Sequence, residues 1–318
     1  ITEPGSDREQ LTSLARTCSG IGDAIPTVLT MTVVPILGAG SSMADYRIGF
    51  KWWALIIAVV FVISELVCVA CVPERPVACD EKPGKISDMF KALFKNDQAM
   101  TVVVSIILVY TSLNICGNLV LYFFRFDVGN EGAYSIFAAV AFAAQVLVMM
   151  VIPLLRKRFS KSQLFISGFI IQIAGFAVIL IMAFAKLYTP QSWYILCLPG
   201  ILIYLGYGML NVIMTIFLSD SVDYGEVMNG TREESVIFSM QTFTVKLASG
   251  VAVFLAGLVV DWIHLDTAAA VQTQDTLDAL RMWMTIPSVI LLIVGIFVFK
   301  RFYKLDDTRM EEIKSKLN

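Results

Sequence analysis

The sequence predicts an all-α polytopic membrane protein, on three observations. Of its 318 residues 57% are apolar and only 16% charged, with a mean hydropathy of +0.75. A soluble domain sits nearer half apolar and a quarter charged. The apolar residues also gather into eight runs close to 20 residues long, the length that carries a helix across ~30 Å of hydrocarbon. Finally, the lysines and arginines are distributed unevenly between alternate loops. A net charge of −2 and the lack of a dense basic arm argue against nucleic acid as a partner and leave the lipid bilayer.

Taken in order, the runs are 14–37, 50–72, 98–124, 131–155, 163–186, 193–218, 235–261 and 281–303. Between the second and third lies a polar stretch in which Ile86, Met89, Phe90, Leu93 and Phe94 recur at helical spacing. Lys85, Lys91 and Lys95 stand among them, a pattern that predicts an amphipathic helix lying on the membrane surface. The chain therefore divides into 1–72 with two spans, a linker 73–97, a six-span bundle 98–305 and a tail 306–318. With both termini in the cytoplasm, the outside loops hold only Arg47, Lys51, Arg125, Lys186 and Arg281. Lys246 is left in the membrane, and every other basic residue falls inside, as the positive-inside rule requires. A multi-pass protein of the cell membrane is expected.

Two spans, a linker and six spans match a six-plus-six pseudo-symmetric transporter whose first four helices precede residue 1. The opening Ile1-Thr2-Glu3-Pro4-Gly5, with no initiator Met, fits that expectation. The six cysteines lie mostly in apolar runs, and Cys68-x-x-Cys71 by itself is a weak metal or redox signal, so no metal centre is predicted. No nucleophile–base pair or phosphate loop is visible, so an enzyme is not expected.

Polar residues inside the spans mark the candidate site, because intramembrane charge is costly and seldom faces lipid. Lys246 lies about eleven residues into its span, ~16 Å deep, where a charge costs about 2.5–3.5 kcal/mol. A cavity-facing role is favoured over snorkelling, with Gln241, Thr242 and Ser249 sharing or adjoining its face. Asp23 follows Arg16 by seven residues, almost two turns, so both fall on nearly one face. Asp23 reads as cavity-lining, against the alternative of a carboxylate hydrogen-bonded by a neighbouring helix. Tyr110, Thr111, Asn114 and Asn118 form a polar stripe that is either a cavity wall or glue between helices. Tyr204, Tyr207, Asn211 and Thr215 line another span, and Glu65 is an intramembrane acid of open role.

Asp220, Asp223, Glu226, Arg232, Glu233 and Glu234 crowd what reads as one water-exposed loop. Pairs there are worth only about 0–1 kcal/mol each, small enough for a gate that opens and closes. Asp220, Asp223, Glu226 and Arg232 are expected to pair with Asp7, Arg8 and Glu9 as a cytoplasmic gate.

Four motifs carry a resemblance. Pro153-Leu-Leu-Arg-Lys-Arg-Phe-Ser-Lys161 is similar to the shortened basic loop of the major facilitator superfamily, and Phe90-Lys-Ala-Leu-Phe-Lys-Asn96 to the middle-loop helix of one of its branches. Val222-Asp-Tyr-Gly-Glu226, Arg232-Glu-Glu-Ser235 and Gln241-Thr-Phe-Thr-Val-Lys246 resemble the signature of the glycoside–pentoside–hexuronide:cation symporters. Asp7-Arg-Glu-Gln-Leu11 with Arg16 is similar to a segment of the same family. The resemblance implies a major facilitator-type bundle in which the eight spans are helices 5 to 12. It also implies a secondary transporter, carrying a sugar or glycoside with Na⁺ or H⁺ (Li⁺ admissible) by alternating access, with no cofactor and as a monomer. The main cation ligands are then expected in the preceding helices. Lys246, with Thr242 and Gln241, is implied to couple cation and substrate, and Arg16 to bind sugar, against the alternative of a positive-inside anchor. The family's sugar-stacking aromatic falls near Asn211, which is not aromatic, though Tyr207 one turn earlier supplies a ring. The alternatives are a carrier of a lysolipid or other amphiphile on the same fold, and a non-transporting sensor or scaffold.

Overall fold

The structure, a computed structural model, describes residues 6–40, 43–71, 94–230, 234–267, 269 and 271–317. Among these, every regular element is helical. The helices are α1 (Ser6–Gly38), α2 (Met43–Cys71), α3 (Asp97–Tyr122), α4 (Ala133–Leu155), α5 (Lys161–Phe184), α6 (Cys197–Asn229), α7 (Glu234–Trp262), α8 (Gln274–Phe302) and α9 (Asp307–Leu317). A π-helical turn, Phe123–Val128, prolongs α3, and a 3₁₀ turn, Trp193–Leu196, leads into α6. Seven helices are long and apolar enough to cross a bilayer, and an eighth if Ser6–Thr30 and Thr32–Gly38 count as one span. The expected surface helix of the linker falls, but for its last residues, outside the described residues. So does Arg232.

The chain forms two compact units. One comprises Ile1–Gly20 with Ile86–Asn318, the other Ile21–Lys85. In the smaller unit, Trp53 Nε1 donates to Thr30 Oγ1 at 2.8 Å, pinning α2 to α1.

In the larger unit α6 is the central helix, packed on α3, α4 and α5. Small residues permit this. A Cβ on Gly206 would lie 2.5 Å from the Gly168 carbonyl of α5, and one on Gly208 would lie 2.9 Å from the Gln145 carbonyl of α4. Backbones that close gain dispersion contacts in a bilayer, where apolar burial between helices gains little. Phe165, Phe217 and Phe299 then form an aromatic cluster joining α5, α6 and α8, with centroids 4.5–5.3 Å apart.

The principal departure from the expected elements is at the end of α6. The run 193–218 predicted a loop from residue 219, but the helix continues to Asn229 and stops at Gly230, whose φ of 72° provides the left-handed cap. Asp220 and Asp223 therefore stand on a buried helix face, 3% and 0% exposed, and not in a loop open to water. Each has a cation within reach, which lets a charged helix end enter the interior. Beyond it, Leu305, Met310 and Ile313 pack with Tyr224, Val227 and Tyr303, so α9 rests on the last turns of α6.

Candidate functional site

A polar track links four helices of the larger unit. Arg16 of α1 is half-buried, and its Nε donates to Thr215 Oγ1 of α6 at 2.9 Å. Thr215 Oγ1 also accepts from Gln241 Nε2 of α7 at 3.3 Å and donates to the Asn211 carbonyl at 3.0 Å. Asn211 Nδ2 donates to the hydroxyls of Tyr110 on α3, at 2.7 Å, and Tyr207, at 3.3 Å. The two tyrosine rings meet edge to face at 5.6 Å. Helical periodicity explains the assembly: Tyr207, Asn211 and Thr215 recur every fourth residue and so share one stripe of α6. Thr215 is the hub, and Tyr110 closes the far end.

This track gathers Arg16, Asn211, Tyr207 and Gln241 of the expected site residues. It leaves the Arg16 terminal nitrogens without hydrogen bond or ion pair among the described residues. A guanidinium with free donors, an amide and phenol hydroxyls together can bind several hydroxyl groups at once. Asn114 and Asn118 are half-buried, and their Nδ2 atoms donate to carbonyls one turn back, Tyr110 and Asn114, each at 2.7 Å. Neither Nδ2 reaches another helix.

Lys246 does not join the track. It is exposed, and among the described residues it makes no hydrogen bond or ion pair. The buried stripe of α7 runs through Ile237, Gln241, Thr244, Ala248 and Ala252. Five residues separate Gln241 from Lys246, which at ~100° per residue turns them to different sides of the helix. The structure thus separates the three residues expected to act together. Gln241 belongs with Arg16 and Thr215, while Lys246 shares an exposed face with Thr242, whose hydroxyl donates to the Phe238 carbonyl at 3.3 Å. Asp23 lies in the smaller unit, where its side chain is exposed and has no partner among the described residues. Its expected company with Arg16 is not part of the track.

At one end of the larger unit the expected gate residues meet a different set of partners. Arg8 Nη1 lies 2.5 Å from Asp223 Oδ2, both side chains no more than 8% exposed. Lys161 Nζ lies 2.5 Å from Asp220 Oδ2 and 3.6 Å from Asp307. Arg156 holds Glu9 with two nitrogens, at 3.0 and 3.1 Å, and reaches Asp307 of α9 at 3.3 Å. Burial works against the Arg156 charge, but the hydrogen bonds and charges of Glu9 and Asp307 outweigh it and push its pKa up. All of these groups except Asp223 line a cavity of about 610 Å³. So Arg8–Asp223 pairs as expected, Asp220 and Glu9 take other partners, and Glu226 is half-buried on the last turn of α6. The expectation of exposed, weak pairs is also corrected for Arg8–Asp223 and Lys161–Asp220, whose burial makes each member costly to strand.

Arg156, Lys161 and Asp307 are the members of this ion-pair cluster that sequence reasoning did not single out. The first two stand in the basic turn 153–161, noted only as a motif. Asp307 is one acid in a charged tail and carries no signal of its own. Thr215 and Tyr110 were visible as polar residues within spans, but nothing in their spacing marks them as joints.

The opposite end of the bundle carries a second buried cluster. Arg281 grips Asp127 with Nη2 at 2.5 Å and Nε at 2.8 Å, and bonds Asp278 at 2.6 Å. Tyr188 donates to the same Asp127 at 2.6 Å. Counted as an outside-loop charge in the sequence, Arg281 is 3% exposed.

Comparison with known proteins accords with this arrangement. The sequence model of a family described as MFS/sugar transport protein matches residues 1–307. Similar relatives include the raffinose carrier protein of Pediococcus pentosaceus, 24% identical, aligned over 100% of this chain and 49% of the relative. The isoprimeverose transporter of Lactiplantibacillus pentosus is 24% identical, over 96% and 62% respectively. The lactose permease of Lactobacillus delbrueckii subsp. bulgaricus is 24% identical, over 98% and 49%. The chain thus spans about half to two thirds of the length of these relatives. It is a carrier-family chain and not an enzyme. A helical bundle with polar groups strung across its spans, a basic turn at one end and a family match from the first residue through the eighth span lead to one assignment: the chain belongs to the MFS/sugar transport protein family, among its glycoside–pentoside–hexuronide symporters.

Proposed function

We propose that the chain is part of a secondary transporter that moves a sugar or glycoside together with Na⁺ or H⁺ by alternating access. The observation that carries the reading is the track from Arg16 through Thr215 and Asn211 to Tyr110 and Tyr207. It offers guanidinium, amide and hydroxyl groups to a polyhydroxylated ligand, with tyrosine rings beside them. The Arg8–Asp223 and Arg156–Glu9 pairs tie α1 to α6 and α4 at the end assigned to the cytoplasm of a cell-membrane protein, and serve as the closed gate. Lys246 with Thr242 is the coupling pair, a role that needs carboxylates which the described residues do not place beside it. A donor-rich track of this kind suits a sugar better than an amphiphile. Retention of a polar site also weighs against a scaffold.

The test is uptake of labelled raffinose, isoprimeverose and lactose by the complete reading frame, with and without a Na⁺ or H⁺ gradient. Gradient-driven uptake of at least one glycoside, lost in Arg16→Ala, is the expected result. Uptake indifferent to both gradients would remove the coupling. Full uptake by Arg16→Ala would remove the site.

A further inference from the structure

Two glutamine side chains in the middle of spanning helices lack hydrogen-bond partners among the described residues. Gln145 of α4 is 4% exposed, and its Oε1 is sealed and unpaired. Gln172 of α5 is 0% exposed, with neither Oε1 nor Nε2 paired. A buried amide without partners is costly, and native interiors keep few of them. The two differ in what they face. A Cβ on Gly206 of α6 would lie 2.7 Å from the Gln172 Cβ, whereas one on Gly208 would lie 3.3 Å from the Gln145 Cγ. Gly206 precedes Thr215 by nine residues, about 180° round the helix, and Gly208 precedes it by seven, about 20°. Gln172 therefore lies behind α6, and Gln145 on the side that carries Thr215, Asn211 and Tyr207. On α1 the relation repeats. A Cβ on Gly20 would lie 3.7 Å from the Gln145 Nε2, and Gly20 follows Arg16 by four residues, one turn along the same face.

We propose that Gln145 is a further substrate-binding residue, whose carboxamide reads a pair of neighbouring hydroxyls on the sugar. The inference rests on the glycoside reading of the polar track and adds to it a residue that sets specificity. A carboxamide holds an acceptor and two donors side by side, so one hydroxyl can donate to Oε1 while its neighbour accepts from Nε2. Gln145 is also at the right depth. It stands at the middle of the 23-residue α4, near the bilayer midplane where secondary carriers hold their substrates. In the arrangement seen, Gly20 lies against the amide, and the Arg8–Asp223 and Arg156–Glu9 pairs hold α1 in place. When those pairs break and α1 withdraws, a sugar bonded to Arg16 and Asn211 meets the amide about one turn away. The bonds gained there are absent from the closed arrangement, so the sugar favours the open one. A buried group that must bond a hydroxyl also rejects the sugar lacking it, which makes Gln145 a selector.

Uptake kinetics of the complete reading frame on labelled lactose, raffinose and isoprimeverose test it. Gln145→Met keeps the length of the side chain and removes both hydrogen-bonding groups. The KM for the transported glycoside should rise roughly ten-fold, with the maximal rate held and no fall in the thermal midpoint. Gln172→Met, the same change on the far side of α6, should leave KM as it is. Gly20→Ala adds a methyl at ordinary contact, 3.5 Å from Met149 Sδ and Val146 Cγ2 and 3.7 Å from Gln145 Nε2, so it folds and crowds the amide. Its KM should rise too. An unchanged KM in both Gln145→Met and Gly20→Ala, with uptake still lost in Arg16→Ala, overturns this inference and leaves the sugar reading standing. A rise of equal size in Gln172→Met overturns it as well, since that is an effect of packing. A wild type that takes up no glycoside overturns both.

Discussion

Arg8 and Asp223 are 215 positions apart in the chain and 2.5 Å apart in space, with neither side chain more than 8% exposed. Breaking a buried pair from one side strands a charge, at a cost of about 3–5 kcal/mol, whereas replacing both partners with apolar groups is often neutral. Asp223→Leu alone should therefore lower the thermal midpoint, and Arg8→Met with Asp223→Leu should restore much of the loss. In transport assays Arg8→Ala should change the rate far more than the substrate affinity. Equal losses in both would speak against a gate.

Arg16 and Thr215 should behave as one unit of the site. Thr215→Val keeps the volume but removes the acceptor used by Arg16 Nε and Gln241 Nε2. A hydrogen bond to a charged group contributes about 1.5–3 kcal/mol, so substrate KM should rise roughly ten-fold or more. Arg16→Lys should not rescue, because an ammonium lacks the fork. A double-mutant cycle on uptake measures the coupling.

Ser13 and Pro153 make a self-contained pair of predictions. Ser13→Ala leaves the buried Met149 carbonyl without a donor, a loss of about 1–3 kcal/mol. Pro153→Ala restores the backbone N–H within α4. The double variant should then be more stable than Ser13→Ala alone, as read by thermal unfolding.

The cluster at the other end predicts an alkaline limit to stability. Burial first, and then the charge of Asp127, push the Tyr188 hydroxyl above its ordinary pKa. A raised native pKa means the stabilisation is whole below the unfolded value, about 10, and is lost as pH climbs beyond it. The thermal midpoint should fall above about pH 10, and Tyr188→Phe should flatten that fall. Arg281→Met, which strands Asp127, should cost about 3–5 kcal/mol at neutral pH.

The membrane-spanning helices were legible because apolar run length is a local property, and seven of the observed helices meet it outright. Arg16, Tyr207 and Asn211 were legible for the same reason, since a polar residue in an apolar run stands out against its neighbours. Asp220 and Asp223 were misplaced because a charge cluster with no visible partner reads as a loop. What admits them to a buried helix is Lys161, 59 residues away, and Arg8, 215 away. The separation of Gln241 from Lys246 was within reach of helical periodicity. Which of the two sides is buried was not, because that depends on where α6 and α3 pack.

The amino-acid sequence by itself determined the solvent of this protein, seven of the spans among its described residues and the family to which it belongs. Those follow from composition, run length and short motifs, each readable without knowing what touches what. Only the tertiary structure decided that Thr215 joins Arg16 to Gln241, that Asp307 of the tail reaches Arg156 and Lys161, and that Arg281 is buried on Asp127. A hydrogen bond or an ion pair needs two groups within about 3 Å, and residues a hundred or two hundred positions apart come that close only when helices pack.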